Sequence, residues 1–439
     1  MVLLYSPQKK LNKPQQITAT IIELDYQGLG VAKINGKTWF IENALPQEKV
    51  ECTVLEEKRQ YGRAVVKKWL EKSPFRVLPQ CSYYGRCGGC QAQHIPVEMQ
   101  REAKQIALFK RLAKLQQEPI DFQPMICDDE PWQYRRRVRL SLWFNPKTKQ
   151  VEMGFRQKNS HDLIVVEGCE VIEPAINNLL PKLTSLLACY STQKQLGHIE
   201  LVAADNGVAM LLRYTGNLSD FDRTLLLNFA GQENLMLFLQ SDEGIEQVYG
   251  NSPYYQFSCG IRLYFDIRDF IQVNRKLNEK MVQTALDWLS LESSDHVLDL
   301  FCGMGNFTLP LAKQVKSAVG IEGVFEMVQK AVQNAEYNQL NNIEFFQANL
   351  DQPFVNQPWA NQPFNKVLLD PPRSGAAFAL SALCQLKAEK ILYVSCNPAT
   401  LVRDAEILLK FGYKIEKSTV VDMFPHTGHL ESITLFSTK

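Results

Sequence analysis

No run of 18 apolar residues occurs anywhere in the 439-residue chain, so no stretch is long enough to cross a bilayer as a helix. The opening MVLLYSPQKKLNKPQQ carries only a short apolar patch before polar residues, too little for the core of a signal peptide. A soluble, cytoplasmic protein with no membrane partner is expected. Net charge is nearly absent as well: 48 Lys and Arg against 47 Asp and Glu leave +1. Any polyanionic partner must therefore be met by local clusters rather than by overall excess. A complete G-x-G-x-x-G is missing, because Thr308 stands where the last glycine would be, and dinucleotide binding is disfavoured. The C-x3-C-x2-C spacing of radical enzymes is missing too. Disulfides are not expected, since eleven cysteines in an intracellular chain are better explained by metal binding or catalysis.

The composition, 45% hydrophobic and 22% charged, suits a globular protein of two to four domains. Residues 10–70 read as short strands cut by turns, with Asn35-Gly36 as a hairpin signal, and suggest a small OB-like β-barrel. Lys33, Lys37, Lys58, Arg59, Arg63, Lys67 and Lys68 supply basic charge, and Trp39 and Tyr61 offer stacking faces, as an oligonucleotide-binding barrel would need. A solvated accessory surface explains the same composition equally well.

Next, CSYYGRCGGC places Cys81, Cys87 and Cys90 at C-x5-C-x2-C, with glycines that let the backbone wrap a ligand. The spacing favours a [4Fe-4S] cluster over zinc, for which His94 could serve as a further ligand. A cluster needs a distant fourth thiolate. Cys127, Cys169, Cys189 and Cys259 are the candidates, and Cys169, after the strand-like DLIVVEG, is the best placed. The region 75–270 reads as mixed α/β. Within it RRRVRLSLWF alternates as a half-buried strand, and Arg135, Arg136, Arg137 and Arg139 form a candidate phosphate-contacting patch, with carboxylate pairing as the plain alternative.

Residues 271–439 alternate strand and helix, the pattern of a doubly wound, Rossmann-like parallel sheet. Its first strand runs into DLFCGMGNF, where Gly303 and Gly305 permit close approach of a cofactor. Glu322, ending the second strand, can accept hydrogen bonds from ribose hydroxyls. With Asn349 after the third strand and Asp370 after the fourth, the set suits S-adenosylmethionine. The apolar run Ile391–Val394 stops at Ser395-Cys396-Asn397-Pro398, which puts Cys396 at the carboxyl edge of a buried strand, where such sheets place their chemistry. Cys384, in an apolar segment, reads as structural. Amino-group methyltransferases often carry an aromatic residue after the paired prolines of a DPP loop; here it is Arg373, which favours attack at carbon. Uracil C5 becomes nucleophilic once a thiolate adds at C6, and the product then requires a base for the C5 proton. On residue chemistry alone His426 or His429 is a stronger candidate for that base than Glu431.

Together, DLFCGMGNFTLPLA, LLDPPRSGA, YVSCNPATLVRD, MFPHTGHLES and the three clustered cysteines resemble the uracil-C5 RNA methyltransferases over nearly the whole chain. The resemblance implies Cys396 as nucleophile and Glu431 as base, with Gln272, Phe301, Asn306, Glu322, Asn349 and Asp370 around S-adenosylmethionine. It also implies Cys169 as the fourth ligand of a [4Fe-4S] cluster, although Glu170 stands where the family commonly has proline. The family branch with both a cluster and an amino-terminal barrel, called a TRAM domain, acts on 23S ribosomal RNA. The expected partner is that RNA, with position 1939 in reference bacterial numbering as target and no obligate protein partner. The rival expectations are a transfer-RNA or other 23S uridine, and an RNA-binding assembly factor in which transfer is secondary.

Overall fold

The computed structural model describes residues 15–352, 354 and 356–438; residues 10–14 of the expected barrel lie outside them. The chain divides into two compact units. The first holds the described residues up to Tyr84, together with Cys90–Ala107 and His426–Gly428. The second holds Gly85–Gly89, Leu108–Pro425 and the chain from His429 onward.

In the first unit six strands pair in the order Gln16–Thr20, Lys49–Glu57, Tyr61–Glu71, Lys37–Glu42, Gly30–Ile34, Glu23–Leu24. The two edge strands are successive pieces of one segment, and between them the Ile22 amide donates to the Val31 carbonyl at 2.9 Å. The sheet thus closes on itself, which leaves no long free edge. Asn35 (φ +50°) and Gly36 (φ +79°) form the expected two-residue turn. Trp39 does not offer a stacking face: it is buried in the barrel core with Ile41, Val50, Cys52 and Ala64. Its ring lies where a side chain on Gly62 would go, 2.5 Å from a Cβ placed there. Several barrel cations are spent on local carboxylates, Lys37 on Glu57 at 2.5 Å, Lys58 on Glu56 at 3.0 Å and Arg63 on Glu42 at 3.7 Å. Arg59, Lys67 and Lys68 remain exposed.

The second unit contains two large sheets. One has seven strands, in the order Leu163–Val165, Gln150–Arg156, Arg137–Asn145, Leu196–Ala204, Gly207–Tyr214, Leu235–Gln240, Ile245–Tyr249. The other has eight, in the order Ile343–Gln347, Ser317–Glu322, His296–Leu300, Lys366–Leu369, Lys390–Ser395, Glu431–Thr438, Tyr413–Val421, Asp121–Phe122. The first five of these are parallel, and Glu431–Thr438 alone runs against its neighbours. Helices join the parallel strands, as the geometry of crossovers requires. One apolar core serves both sheets, from Val202, Leu211 and Phe238 through Leu277 and Met281 to Val297, Leu392 and Ile433. Helix Arg275–Leu289 contributes because Leu277, Met281, Val282, Ala285, Leu286 and Leu289 fall on one face. Among the described residues no helix is long and apolar enough to cross a membrane.

Candidate active site

The carboxyl ends of five parallel strands and the amino end of the one reversed strand lie on the same edge of the eight-stranded sheet. That edge gathers the expected chemistry. Strand Lys390–Ser395 is buried throughout its apolar run and delivers Cys396 half-buried at its end. Ser395 pairs with Ser432 across the reversed strand, so Cys396 and Glu431 are the next residues outward on two adjacent strands. Pro398 does not simply break the sheet; it is the first residue of helix Pro398–Lys410, where a missing N–H is no loss. Asn397 caps that helix, accepting from the Ala399 amide at 3.0 Å, and its amide nitrogen donates to the Arg373 carbonyl at 3.1 Å.

The loop after strand Lys366–Leu369 is stitched to the same helix. Buried Asp404 accepts from the Ala376 amide and the Tyr393 hydroxyl, both at 2.7 Å, and from Arg403 Nε at 2.8 Å. Arg403 in turn donates to the Ser374 carbonyl at 2.8 Å. The loop carrying Asp370 and Arg373 is therefore held against the Cys396 turn by four side chains of the helix and its cap, counting Thr400 at 3.4 Å from the Arg373 carbonyl. Arg373 also reaches His429 Nδ1 at 3.1 Å. His426, the other candidate base, belongs to the first unit, where its carbonyl accepts from the Gln91 and Ala92 amides at 3.0 Å.

Burial, with the charges of Glu431 and Asp370, pushes the Cys396 thiol up to about 11, against the pull of Arg373. A thiol raised in this way is almost wholly protonated near neutral pH, so substrate must supply part of the drive for thiolate formation. Alkylation of Cys396 by iodoacetamide, read by mass spectrometry, should quicken about tenfold per pH unit between roughly pH 7 and 10. Glu431→Gln, by removing a neighbouring negative charge, should speed it at fixed pH. A rate that is flat from about pH 7 would mean that the thiolate is already formed, against the burial argument.

The residues expected to hold the cofactor include several at or next to the end of strand His296–Leu300. Phe301 adopts a left-handed φ of +65°, a conformation costing a non-glycine residue about 1–2 kcal/mol. A side chain on Gly305 (φ +98°) would be strained and would have to displace the buried Leu309, whose Cδ1 lies 2.0 Å from where the Cβ would be. Gly303 (φ +55°) faces open space instead. Glu322 is oriented by three amides: Gly303 at 3.1 Å on one oxygen, Gly323 at 2.7 Å and Val324 at 3.0 Å on the other. Asn349 is exposed beyond the third strand and caps a turn through the Asp351 amide at 3.0 Å. Asn306 forms a reciprocal amide pair with Asn278 and also accepts from the Tyr255 hydroxyl at 2.9 Å. The Gln272 carbonyl accepts from Arg136 Nε at 2.8 Å. Burial raises Asp370 to about 7.

Asp299 was missed in the sequence, though an acid inside the apolar HVLDLF is a visible signal. Burial raises it to about 8, opposed by the Thr308 hydroxyl that donates to it at 2.6 Å and reinforced by Asp370 and Glu322. Its other oxygen has no partner. An open glycine turn, an oriented carboxylate and an unsatisfied buried acid suit a cationic nucleoside such as S-adenosylmethionine. Tyr255 has no sequence signature, since it acts through Asn306, 51 residues away; Asp404 closes the motif YVSCNPATLVRD, but its hold on the Ala376 amide could not be read from it.

The metal candidates are distributed differently. Cys81 and Cys90 lie in the first unit, where the Cys81 amide donates to Gln93 Oε1 at 3.1 Å. Cys87 and Cys169 lie in the second, Cys87 bridged to Gln157 and the Cys169 amide donating to Asn177 Oδ1 at 2.9 Å. All four are half-buried thiols. Among the described residues no group of three or more His, Cys, Asp or Glu is placed to hold a metal ion. The basic patch is also largely absorbed. Arg136 is buried, and Arg137 bonds the Ile267 and Asp269 carbonyls and Glu200 Oε2. Arg139 meets His198. Glu200 is correspondingly held down to about 2, by hydrogen bonding from His198 and then, against its burial, by Arg137.

A family model described as tRNA (Uracil-5-)-methyltransferase matches residues 97–439, and a TRAM domain model matches residues 11–67. A Haemophilus influenzae protein named 23S rRNA (uracil(1939)-C(5))-methyltransferase RlmD is 79% identical over the full length of both chains. A Mannheimia succiniciproducens protein of the same name is 66% identical over 99% of each chain. The solved structure of Pyrococcus abyssi tRNA (uracil-54, C5)-methyltransferase with S-adenosyl-L-homocysteine has a TM-score of 0.73 at 21% identity, covering 96% of this chain and 100% of that one. At that identity the likeness speaks for the fold.

Proposed function

The chain belongs to the tRNA (uracil-5-)-methyltransferase family and is an S-adenosylmethionine-dependent methyltransferase, and on that premise we propose that it methylates C5 of the uridine at position 1939 of 23S ribosomal RNA. The observation that carries the chemistry is the placement of Cys396 and Glu431 on adjacent strands at one sheet edge, beside the Asp370 loop. The full-length relatives named for that nucleotide carry the choice of substrate.

Gln272, Phe301, Asn306, Glu322, Asn349 and Asp370 would hold S-adenosylmethionine, which supplies an electrophilic methyl group when bound. Cys396 loses its thiol proton to solvent, and the resulting thiolate forms a bond to uracil C6, moving the C5=C6 electron pair into an enolate that is nucleophilic at C5. After methylation, Glu431 takes the C5 proton, the C5=C6 bond re-forms and the C6–S bond breaks, returning the thiolate. A uracil in folded RNA must leave its stack to meet Cys396, so a flipped or single-stranded target is required. We assign residues 10–70 to an RNA-binding barrel, 75–270 to a central RNA-facing domain and 271–439 to catalysis, acting in the cytoplasm. Mass spectrometric mapping of 5-methyluridine in cells with and without the protein tests this. Loss of one 23S mark is expected; loss of a transfer-RNA mark would overturn the substrate, and no loss would favour an assembly role.

We also propose that Cys81, Cys87, Cys90 and Cys169 are the ligands of a [4Fe-4S] cluster. Their thiolate chemistry and the C-x5-C-x2-C spacing support this. No step of methyl transfer is assigned to it. Protein purified without oxygen should carry about four iron and four sulfide per chain. One zinc and no sulfide would replace the cluster by a zinc site.

A further inference from the structure

Arg136 is the largest buried cation near the cofactor residues, only 1% exposed. Phosphate recognition needs a guanidinium that can reach solvent, so the sequence expectation for this arginine does not hold. Its contacts lie inside the protein instead. Nε donates to the Gln272 main-chain carbonyl at 2.8 Å. Its guanidinium carbon sits 4.6 Å from the centre of the Tyr255 ring, within cation–π range. The hydroxyl at the far end of that ring donates to Asn306 Oδ1 at 2.9 Å.

We propose that Arg136 is a positioning residue for the cofactor, aligning Gln272 through its backbone and Asn306 through Tyr255. This rests on the methyl-transfer reading and deepens it. Gln272 and Asn306 come from different segments, one before helix Arg275–Leu289 and one in the glycine turn after the first strand. A buried arginine fixed on strand Arg137–Asn145's amino side joins the two, over separations of 136 residues to Gln272 and, from Tyr255, 51 to Asn306. The rest of its surroundings are charged: Glu173 and Asp205 offset its charge, Arg275 opposes it, and Asp205 is itself paired with Arg275 at 3.0 Å. Neither terminal nitrogen of Arg136 has a hydrogen-bond partner, so the Gln272 carbonyl and the Tyr255 face are the contacts that orient it. The neighbouring Arg137 braces the same segment through the Ile267 carbonyl at 2.9 Å and the Asp269 carbonyl.

Arg136→Lys and Tyr255→Phe test the assignment in the full-length protein. Lysine keeps the charge but cannot donate along Nε while lying flat on the ring. Phenylalanine keeps the ring and deletes only the bond to Asn306, so it remains informative if the lysine variant folds poorly. Binding of S-adenosylmethionine without RNA, by calorimetry, should weaken about tenfold in Arg136→Lys and about threefold in Tyr255→Phe. KM for the cofactor should rise in parallel while kcat at saturating cofactor stays within about threefold. The slope of RNA affinity against salt should not change. Intact cofactor binding in both variants, with or without a lower melting temperature, would overturn the proposal. A salt slope reduced by about one, with cofactor affinity kept, would instead make Arg136 a phosphate contact and overturn it as well. Because calorimetry needs no RNA, a wrong substrate assignment would show as cofactor binding without methylation and leave this test standing.

Discussion

Cys396→Ala abolishes 5-methyluridine formation, by about 10⁴-fold or more, and leaves S-adenosylmethionine affinity within about threefold of the parent. The size follows from the electronic problem: without addition at C6, uracil C5 has no carbanion character to attack a sulfonium, and no neighbouring group can supply it. The selectivity follows from the structure. The turn around Cys396 is held by its neighbours, with the Asn397 amide donating to Ser395 Oγ at 3.2 Å and the Ser395 hydroxyl donating to the Asn397 carbonyl at 3.1 Å. Helix Pro398–Lys410 keeps its cap and its bonds to the Asp370 loop, so removal of one half-buried sulfur should not move the cofactor residues. Steady-state methylation of a 23S fragment and cofactor calorimetry measure the two quantities. Turnover near the parent rate would remove Cys396 from the mechanism.

Glu431→Gln should convert the enzyme into a trap, accumulating a covalent protein–RNA adduct that survives denaturing electrophoresis and has the mass of the methylated species. Glutamine preserves the shape of the side chain and removes the proton acceptor, so the C5 proton stays and the C6–S bond cannot break. Formation of the adduct should not be slowed. Glu431 is one of the charges that hold the Cys396 thiol up, and its removal favours the thiolate. Addition and methylation thus proceed while release fails, which makes the adduct the dominant species rather than a trace. Free unmethylated RNA with no adduct would place Glu431 before methyl transfer. Normal release would move the base elsewhere, with His429, 3.1 Å from Arg373, as an alternative from the motif.

The strands of the catalytic sheet, though not their order across it, were legible because most parallel strands are short apolar runs ended by a polar or glycine residue. HVLDLF, SAVGIE and KILYVS all occupy the positions their patterns suggest. The hairpin at Asn35-Gly36 was legible for the same reason: a left-handed two-residue turn admits few residue types. Basic and aromatic residues were less informative. Arg137 lies on the polar face of its strand as the alternation suggested, yet its guanidinium is consumed by carbonyls 130 and 132 residues away and by Glu200. Trp39 was read as a surface and is core, because a glycine on the adjacent strand leaves room for its ring.

What the chain shows on its own is chemistry set by near neighbours: a cysteine at a strand end, glycines that permit a close turn, a proline that starts a helix. Tertiary structure alone decided which distant groups complete that chemistry. Glu431 reaches the edge that carries Cys396 because its strand runs antiparallel to the one before Cys396. Asp404 ties the Asp370 loop to helix Pro398–Lys410, and Arg136 is buried against the Gln272 carbonyl. Such partnerships depend on sheet order and burial, and a buried polar group takes whichever partner the packing brings within reach.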